Sequence, residues 1–337
     1  MIRNILLSYI TLSICTFCNA QTFTLQVQKD SVSFRGLDTF GEDVVWVSGN
    51  KGTVGYSKDK GKNWNWVNPK DYGEVDFRDI KTFSAKEAVI ISAGTPAVIL
   101  RTKNGGKSWE KVFSDERTEV FFDAVDFEGK TGYVLGDPLD GSFQLLKSTN
   151  KGKSWKDISE QMYLIADDGE VAFAASGSSI QLLNGVLYVG TGGTYSSLFN
   201  YDPKNLRVDK FDCPIWSGNS STGIFAIDFY DLFNGIVVGG DYLQDGDNRN
   251  NVLITRDGGK NWIKPQLPVS GFRSDVLFLT KEKVIVTGTS GTDLSADGGM
   301  NWKNISELSF NTIAKSKSGK QLYLTNSKGQ IYTLELN

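Results

Sequence analysis

Apolar and polar residues alternate along this chain in short runs, and seven of the runs open on a phenylalanine. Phe34-Arg35, Phe77-Arg78, Phe122-Asp123, Phe173-Ala174, Phe225-Ala226, Phe272-Arg273 and Phe310-Asn311 follow one another at intervals of 38–52 residues. Alternation with period two is the mark of a strand with one buried face. Each run is followed by a second apolar run, at 44–49, 88–94, 131–137, 185–193, 235–242, 284–291 and 321–327. A third run comes next, and a tryptophan opens a fourth. Four short strands repeated seven times have the period of propeller blades. The pattern therefore predicts an all-β, seven-bladed β-propeller occupying residues 21–337 as one domain. The seventh unit stops after its third strand at 330–336, whereas Thr22-Phe-Thr-Leu-Gln-Val27 is strand-like and has no unit of its own. That N-terminal segment is expected to supply the missing outer strand, because an unclosed ring would leave unpaired edges.

Between the third and fourth runs lies a short motif that occurs five times. It reads Ser57-Lys-Asp-Lys-Gly-Lys-Asn-Trp64, Thr102-Lys-Asn-Gly-Gly-Lys-Ser-Trp109, Ser148-Thr-Asn-Lys-Gly-Lys-Ser-Trp155, Thr255-Arg-Asp-Gly-Gly-Lys-Asn-Trp262 and Ser295-Ala-Asp-Gly-Gly-Met-Asn-Trp302. In a tight turn the Asp or Asn oxygen and the preceding hydroxyl accept bonds from turn N–H groups. The fixed glycine permits positive φ, and the tryptophan brings a large apolar body to the next strand. In the fourth unit the motif has decayed to Asn200-Tyr-Asp-Pro-Lys-Asn205, which keeps turn residues but has no tryptophan.

Residues 1–20 have the form of a cleaved secretory signal peptide. Arg3 is the basic start, Ile5 to Phe17 the apolar stretch, and Cys18-Asn19-Ala20 a small-residue cleavage site. The apolar stretch is shorter than the roughly 20 residues a membrane span needs. Export to the periplasm or the extracellular medium is expected, with no span in the mature form. Cys213 would then be the one remaining cysteine, leaving stability to packing. The formal charge of −3 lacks the basic excess of a general nucleic-acid binder.

A meander of four strands per blade puts the five turn motifs on one face of the ring. The opposite face carries the longer loops, such as 136–141, 190–195 and 240–248, and loops on a rigid scaffold are where binding is usually placed. Arg35, Arg78 and Arg273 each follow the opening Phe of an inner strand, so three guanidiniums are expected to converge near the axis on that face. Asp123 takes the matching place in blade 3, and Glu170 begins the corresponding strand in blade 4. Asp241 and Tyr242 lie on a loop of the same face. Converging guanidiniums suit a carboxylate or phosphate. The alternative is that they pair with Asp38, Asp79, Asp123 or Asp275 and line a watery channel. Asp245-Gly-Asp-Asn248 is rich in oxygen but lacks an EF-hand's ligand ladder, which favours a solvated hairpin tip.

The chain contains no histidine. Ser-His-Asp and Cys-His catalysis, His-ligated metals and a His general base are thereby excluded. No strand–GxGxxG–helix unit is present for a nicotinamide or flavin, so no cofactor and no metal is expected. Glycoside hydrolysis is the one common chemistry that works with carboxylates and tyrosines alone.

The motif of the second paragraph resembles the Asp-box, or BNR repeat, of sialidases, sortilin-type receptors and photosystem II assembly-factor propellers. Sialidases also use an arginine triad for the substrate carboxylate and an early F/Y-R-I-P motif, of which Ser33-Phe-Arg-Gly-Leu37 keeps only Phe-Arg. A closer resemblance spans nearly the whole mature chain. Gly169-Glu-Val-Ala-Phe-Ala-Ala-Ser-Gly177, Gly235-Ile-Val-Val-Gly-Gly-Asp-Tyr242 and Ser270-Gly-Phe-Arg-Ser-Asp275 are similar to segments of bacterial exported propellers of the photosystem II stability/assembly-factor type. The resemblance implies a monomeric binding or assembly module for a protein partner or a small anionic or carbohydrate ligand, met through the face opposite the boxes. A sialidase-like or other carboxylate-dependent glycoside hydrolase is the alternative it leaves open.

Overall fold

The computed structural model describes residues 21–336; the signal-peptide reading of 1–20 lies outside them. The described chain forms seven antiparallel sheets arranged as a seven-bladed propeller, with one four-residue helix at Ser159–Met162. Blade 1 is typical, with strands Phe34–Phe40, Val44–Gly49, Val54–Ser57 and Asn65–Trp66 running outward from the axis. Blade 7 consists of Thr312–Lys315, Leu322–Thr325 and Gln330–Glu335, and Thr22–Gln28 is its fourth strand. That strand pairs antiparallel with Gln330–Glu335 from Thr22 opposite Glu335 to Gln28 opposite Gln330. The first and last segments of the described chain thus share one sheet.

The second strands are the most apolar because each is covered on both sides by neighbouring blades. Val45, Trp46 and Val47, and likewise Ala88 to Ile91, are fully buried. One cluster shows the logic: Trp46 and Val54 of blade 1 pack on Phe77, Ile80, Ile90, Val98 and Leu100 of blade 2. Each such side chain contributes about 1.5–3 kcal/mol on burial, and the sum over seven junctions is what rigidifies the ring.

The five boxes form five alike hairpins. In each the glycine N–H donates to the first-position hydroxyl, Gly61 to Ser57 at 2.9 Å and Gly259 to Thr255 at 2.8 Å. The Asp or Asn then accepts from the N–H four residues on, as Asp59 does from Asn63 at 2.8 Å. Gly61 has φ 84°, a conformation that a side chain would strain.

Polar groups join the blades near the axis. At six of the seven junctions a side-chain oxygen of the inner strand accepts a main-chain N–H of the next blade. Asp38 takes Thr82, Asp79 takes Val125, Asp126 takes Leu182, and Gln181 takes Phe229, each at 2.7 Å. Asp228 takes Phe278 at 2.6 Å and Asp275 takes Ile313 at 2.8 Å. At the last junction the Thr39 hydroxyl donates to the Lys315 carbonyl at 2.5 Å. Asp38, Asp79 and Asp275 therefore stitch blades together instead of pairing with arginines.

Two expectations change in blades 4 and 5. Phe173 opens no strand: the inner strand of blade 4 is Ile180–Leu183, and Glu170–Val171 pairs with Gly192–Gly193, beside blade 5. The outer strand of blade 5 is reduced to a single bridge between Ile254 and Ile263, since Pro265 and Pro268 cannot donate to a ladder. The segment 173–179 instead runs into the axis. The Ala175 carbonyl accepts from Arg35 at 3.1 Å, the Ser176 carbonyl from Thr312 at 3.4 Å, and the Ser178 carbonyl from Ile227 at 2.8 Å. Small residues are required there. A Cβ on Gly177, whose φ is 81°, would stand 2.3 Å from the Asp79 carboxylate. The segment divides the expected open channel into two separate cavities, one on each side.

Candidate functional site

The cavity on the face opposite the boxes has a volume of about 370 Å³ and two unlike walls. Arg35 and Arg78 form one, each placed second or third in its inner strand, where the side chain turns toward the mouth. Phe173, Phe225, Phe272 and Tyr242 form the other. Phe173 stacks on Phe225 at 3.8 Å between ring centroids, and Phe272 meets Phe225 edge-on at 4.7 Å. Tyr242 stands edge-on to Phe225 at 6.1 Å and remains 48% exposed. The plug residues Ala174 and Ala175 also line the cavity.

The cationic wall has bonding capacity to spare. Arg35 makes one side-chain hydrogen bond among the described residues, to the Ala175 carbonyl. Burial, followed by the neighbouring charge of Arg78, pulls its guanidinium down to about 10, while Asp76 pulls it back up. Arg78 bonds Asp76 through Nε at 2.8 Å and lies over the Phe121 ring at 5.8 Å. Two guanidiniums that repel each other at the edge of an apolar pocket favour an incoming anion, because it relieves the repulsion and fills free N–H donors. The aromatic wall gives such an anion an apolar neighbour of specific shape.

Other residues expected here are elsewhere. Arg273 is fully buried and does not line the cavity. Its guanidinium is spent on Asp293, the Phe272 carbonyl, Ser290 and Ser270. The three-way convergence is thus a pair. Glu170 is also buried, accepting from Lys210 at 2.7 Å, from the Asp167 N–H at 2.8 Å and from Thr191. It ties down a loop and is not on the cavity wall. Asp241 caps its own turn by accepting from the Leu243 N–H at 2.9 Å and from Gln244 at 3.0 Å. Asp123 is fully buried behind the wall, and burial, then Asp137, holds its carboxyl well above the usual range. Tyr242 alone of the non-arginine candidates lines the cavity. Asp247 pairs with Arg249 at 2.9 Å, and Arg249 covers Trp216 at 4.1 Å, so the 245–248 loop is a closed hairpin tip.

The aromatic wall was missed from the sequence. Its signal was present, since Phe173, Phe225 and Phe272 are three of the seven periodic phenylalanines. Periodicity assigns them all to blade cores, and only the break in blade 4 frees Phe173 to stack across the axis.

Residues 76–188 match the family model described as photosynthesis system II assembly factor YCF48. Over 69 residues the chain is 39% identical to the chloroplastic photosystem II stability/assembly factor HCF136 of Oryza sativa subsp. japonica, a stretch covering 19% of this chain and 16% of that protein. Among solved structures, a YCF48 bound to D1 peptide superposes with a TM-score of 0.67 at 14% identity, covering 95% of this chain and 97% of that one. YCF48 from Cyanidioschyzon merolae gives 0.64 at 16% identity, with 93% and 98% covered. The WD40 propeller domain of Doa1 gives 0.63 at 10% identity, with 94% and 98% covered. The structural likenesses establish the seven-bladed fold. The sequence likeness is to photosystem II assembly-factor propellers.

Proposed function

We propose that the chain is an exported, assembly-factor-like binding propeller that holds an acidic segment of a protein partner at the mouth opposite the boxes. Arg35 and Arg78 receive a carboxylate of that segment, and Phe173, Phe225, Phe272 and Tyr242 receive an apolar or aromatic neighbour. The observation that carries this reading is the pair of under-used guanidiniums facing a stacked aromatic wall across one cavity. The likeness to a YCF48 whose structure holds a D1 peptide supports a peptide as the occupant. Hydrolysis has no support in this geometry, because Glu170 is committed to Lys210 and lies outside the cavity that Tyr242 lines.

Calorimetric titration tests the reading. Peptides carrying a Glu or Asp next to a Phe or Tyr should bind the wild type, and citrate or phosphate more weakly. Loss of one charge-assisted contact is typically worth about 1.5–3 kcal/mol, so Arg35→Ala and Arg78→Ala should each weaken the peptide at least about tenfold. Arg273→Ala should instead lower stability, since it strands buried Asp293. Equal peptide affinity in wild type and the Arg35→Ala/Arg78→Ala chain would dismiss the site.

A further inference from the structure

The five boxes fold alike but are not charged alike. At the third position a side-chain oxygen accepts the N–H four residues on, and Asp and Asn do this equally well. Asp59, Asp257 and Asp297 accept it at 2.8–2.9 Å, and Asn104 and Asn150 at 3.0 and 3.1 Å. Asparagine in the boxes of blades 2 and 3 therefore keeps the hairpin and removes a negative charge.

Lysines gather where that charge is missing. In every box the fourth residue donates its N–H to the first turn of its own blade, Gly105 to the Lys86 carbonyl and Lys151 to the Lys130 carbonyl, both at 2.9 Å. These bonds set Lys86 beside the box that carries Lys103 and Lys107, and Lys130 beside the box that carries Lys151 and Lys153. Arg101 donates to the Lys151 carbonyl at 3.1 Å and so ties the two boxes together. All six lysines but the half-buried Lys151 are exposed, and none forms an ion pair among the described residues. The nearby carboxylates are already engaged. Glu87 stands 3.6 Å from Arg101, and Glu128 accepts the N–H groups of Asn184 and Gly185 at 2.9 and 2.8 Å. Other blades balance their cations. Blade 1 sets Asp43 3.8 Å from Lys60, and blade 6 sets Glu282 and Asp297 among Lys281 and Lys283.

We infer that the box face of blades 2 and 3 is a docking surface for an anionic lipid bilayer, independent of the mouth. Two features favour a bilayer over another polyanion. The free cations are all lysines on two hairpin tips of equal length. Ammonium groups on flexible stems are point charges, which suit a fluid array of phosphates and lack the planar fork that reads one fixed group. Apolar rings also stand beside them. Phe40 is 46% exposed and, with Phe83 and Phe127, lines a cavity of about 380 Å³ that Lys151 borders. Rings next to cations match the boundary between headgroups and acyl chains, whereas a nucleic-acid backbone offers charge without an apolar layer. A ring docked by this face leaves its mouth pointing away from the lipid and open to a partner.

The test is co-sedimentation of the mature chain with vesicles of equal parts phosphatidylglycerol and phosphatidylcholine, against vesicles of phosphatidylcholine alone. At about 0.1 M salt the anionic vesicles should bind at least about tenfold more tightly, and about 0.5 M salt should remove the difference. Asn104→Asp/Asn150→Asp gives these boxes the residue of their neighbours, so the turns persist while the charge is cancelled. It should weaken binding to anionic vesicles at least about fivefold. Lys107→Glu/Lys153→Glu should abolish that binding. The same charge change in loops of the opposite face, Lys70→Glu/Lys328→Glu, should leave it unchanged. So should Arg35→Ala/Arg78→Ala, which separates failure here from failure at the mouth. Equal binding to the two kinds of vesicle overturns the inference. Anionic-vesicle binding that survives Asn104→Asp/Asn150→Asp, or that Lys70→Glu/Lys328→Glu weakens as much, overturns it too. Tighter binding of a short DNA duplex than of the vesicles, lost in the same aspartate variant, would make the occupant a nucleic acid and overturn the lipid assignment.

Discussion

The two ends of the propeller axis are built from the same inner strands and use their polar groups in opposite ways. At the box-side end, Asp38, Asp79, Asp126, Asp228 and Asp275 each accept a main-chain N–H from the next blade. At the other end Arg35 has one carbonyl partner and Arg78 one carboxylate, and both face an aromatic wall. The charged groups of the first end hold the ring together, and those of the second are available to a ligand. Strand position does not decide between these roles. Arg273 follows its opening Phe as Arg35 and Arg78 do, yet it is buried among Asp293, Ser270 and Ser290. What sets Arg35 and Arg78 apart from Arg273, and what the proposed binding role rests on, is unspent bonding capacity beside a cavity.

The comparison can be broken most forcefully at ring closure, on which both ends depend. Deleting residues 21–28 removes the strand opposite Gln330–Glu335 and the stacking of Phe23 on Phe310 at 5.8 Å. The expected result is aggregation and a fall in the thermal midpoint on the order of 10 °C or more. An unchanged melting curve would mean that this strand does not close the ring in solution.

Gly177→Val attacks the plug that separates the two ends. The new Cβ meets Asp79 in a backbone conformation with φ 81°, so strain and clash together should cost about 2–4 kcal/mol in urea unfolding. Because the Ala175 carbonyl takes the only side-chain bond of Arg35 among the described residues, affinity at the mouth should fall as well. Full stability with full binding would show that the plug is not needed at either end.

The smallest effect sharpens the description of the stitched end. Burial pushes Asp275 up to about 7, although bonds from Ile313 and Thr312 pull the other way. Its folded value lies above the ordinary 3.8. The contribution of Asp275 to stability is therefore complete below about pH 4 and is lost as pH rises through about 7. Asp275→Asn should flatten the slope of thermal midpoint against pH between about 4 and 7. Parallel slopes in the two chains would indicate that Asp275 titrates at its ordinary value.

The fold was legible because it repeats. Five boxes, seven phenylalanine runs and the spare strand at 22–27 specify blade count, hairpins and closure together, each by local chemistry. The site was half legible for the same reason. A repeat predicts that equivalent residues do equivalent things, which correctly brought Arg35 and Arg78 to one mouth and wrongly added Arg273. It also cast Phe173 as a strand opener, whereas Gly177 and its small neighbours carry that segment into the axis. The partners that commit Glu170 and Asp241, namely Lys210 and the Leu243 N–H, follow from loop paths that alternation does not encode.

The most direct test compares the two ends with one ligand. An acidic-aromatic peptide is titrated calorimetrically into wild type, Arg35→Ala/Arg78→Ala and Lys81→Met, after circular dichroism has shown all three folded; Lys81 lines the box-side cavity and stands 3.1 Å from Asp126. The account predicts at least about a tenfold loss of affinity for the arginine variant and none for Lys81→Met. Equal affinities for wild type and the arginine variant, or a loss confined to Lys81→Met, would contradict it.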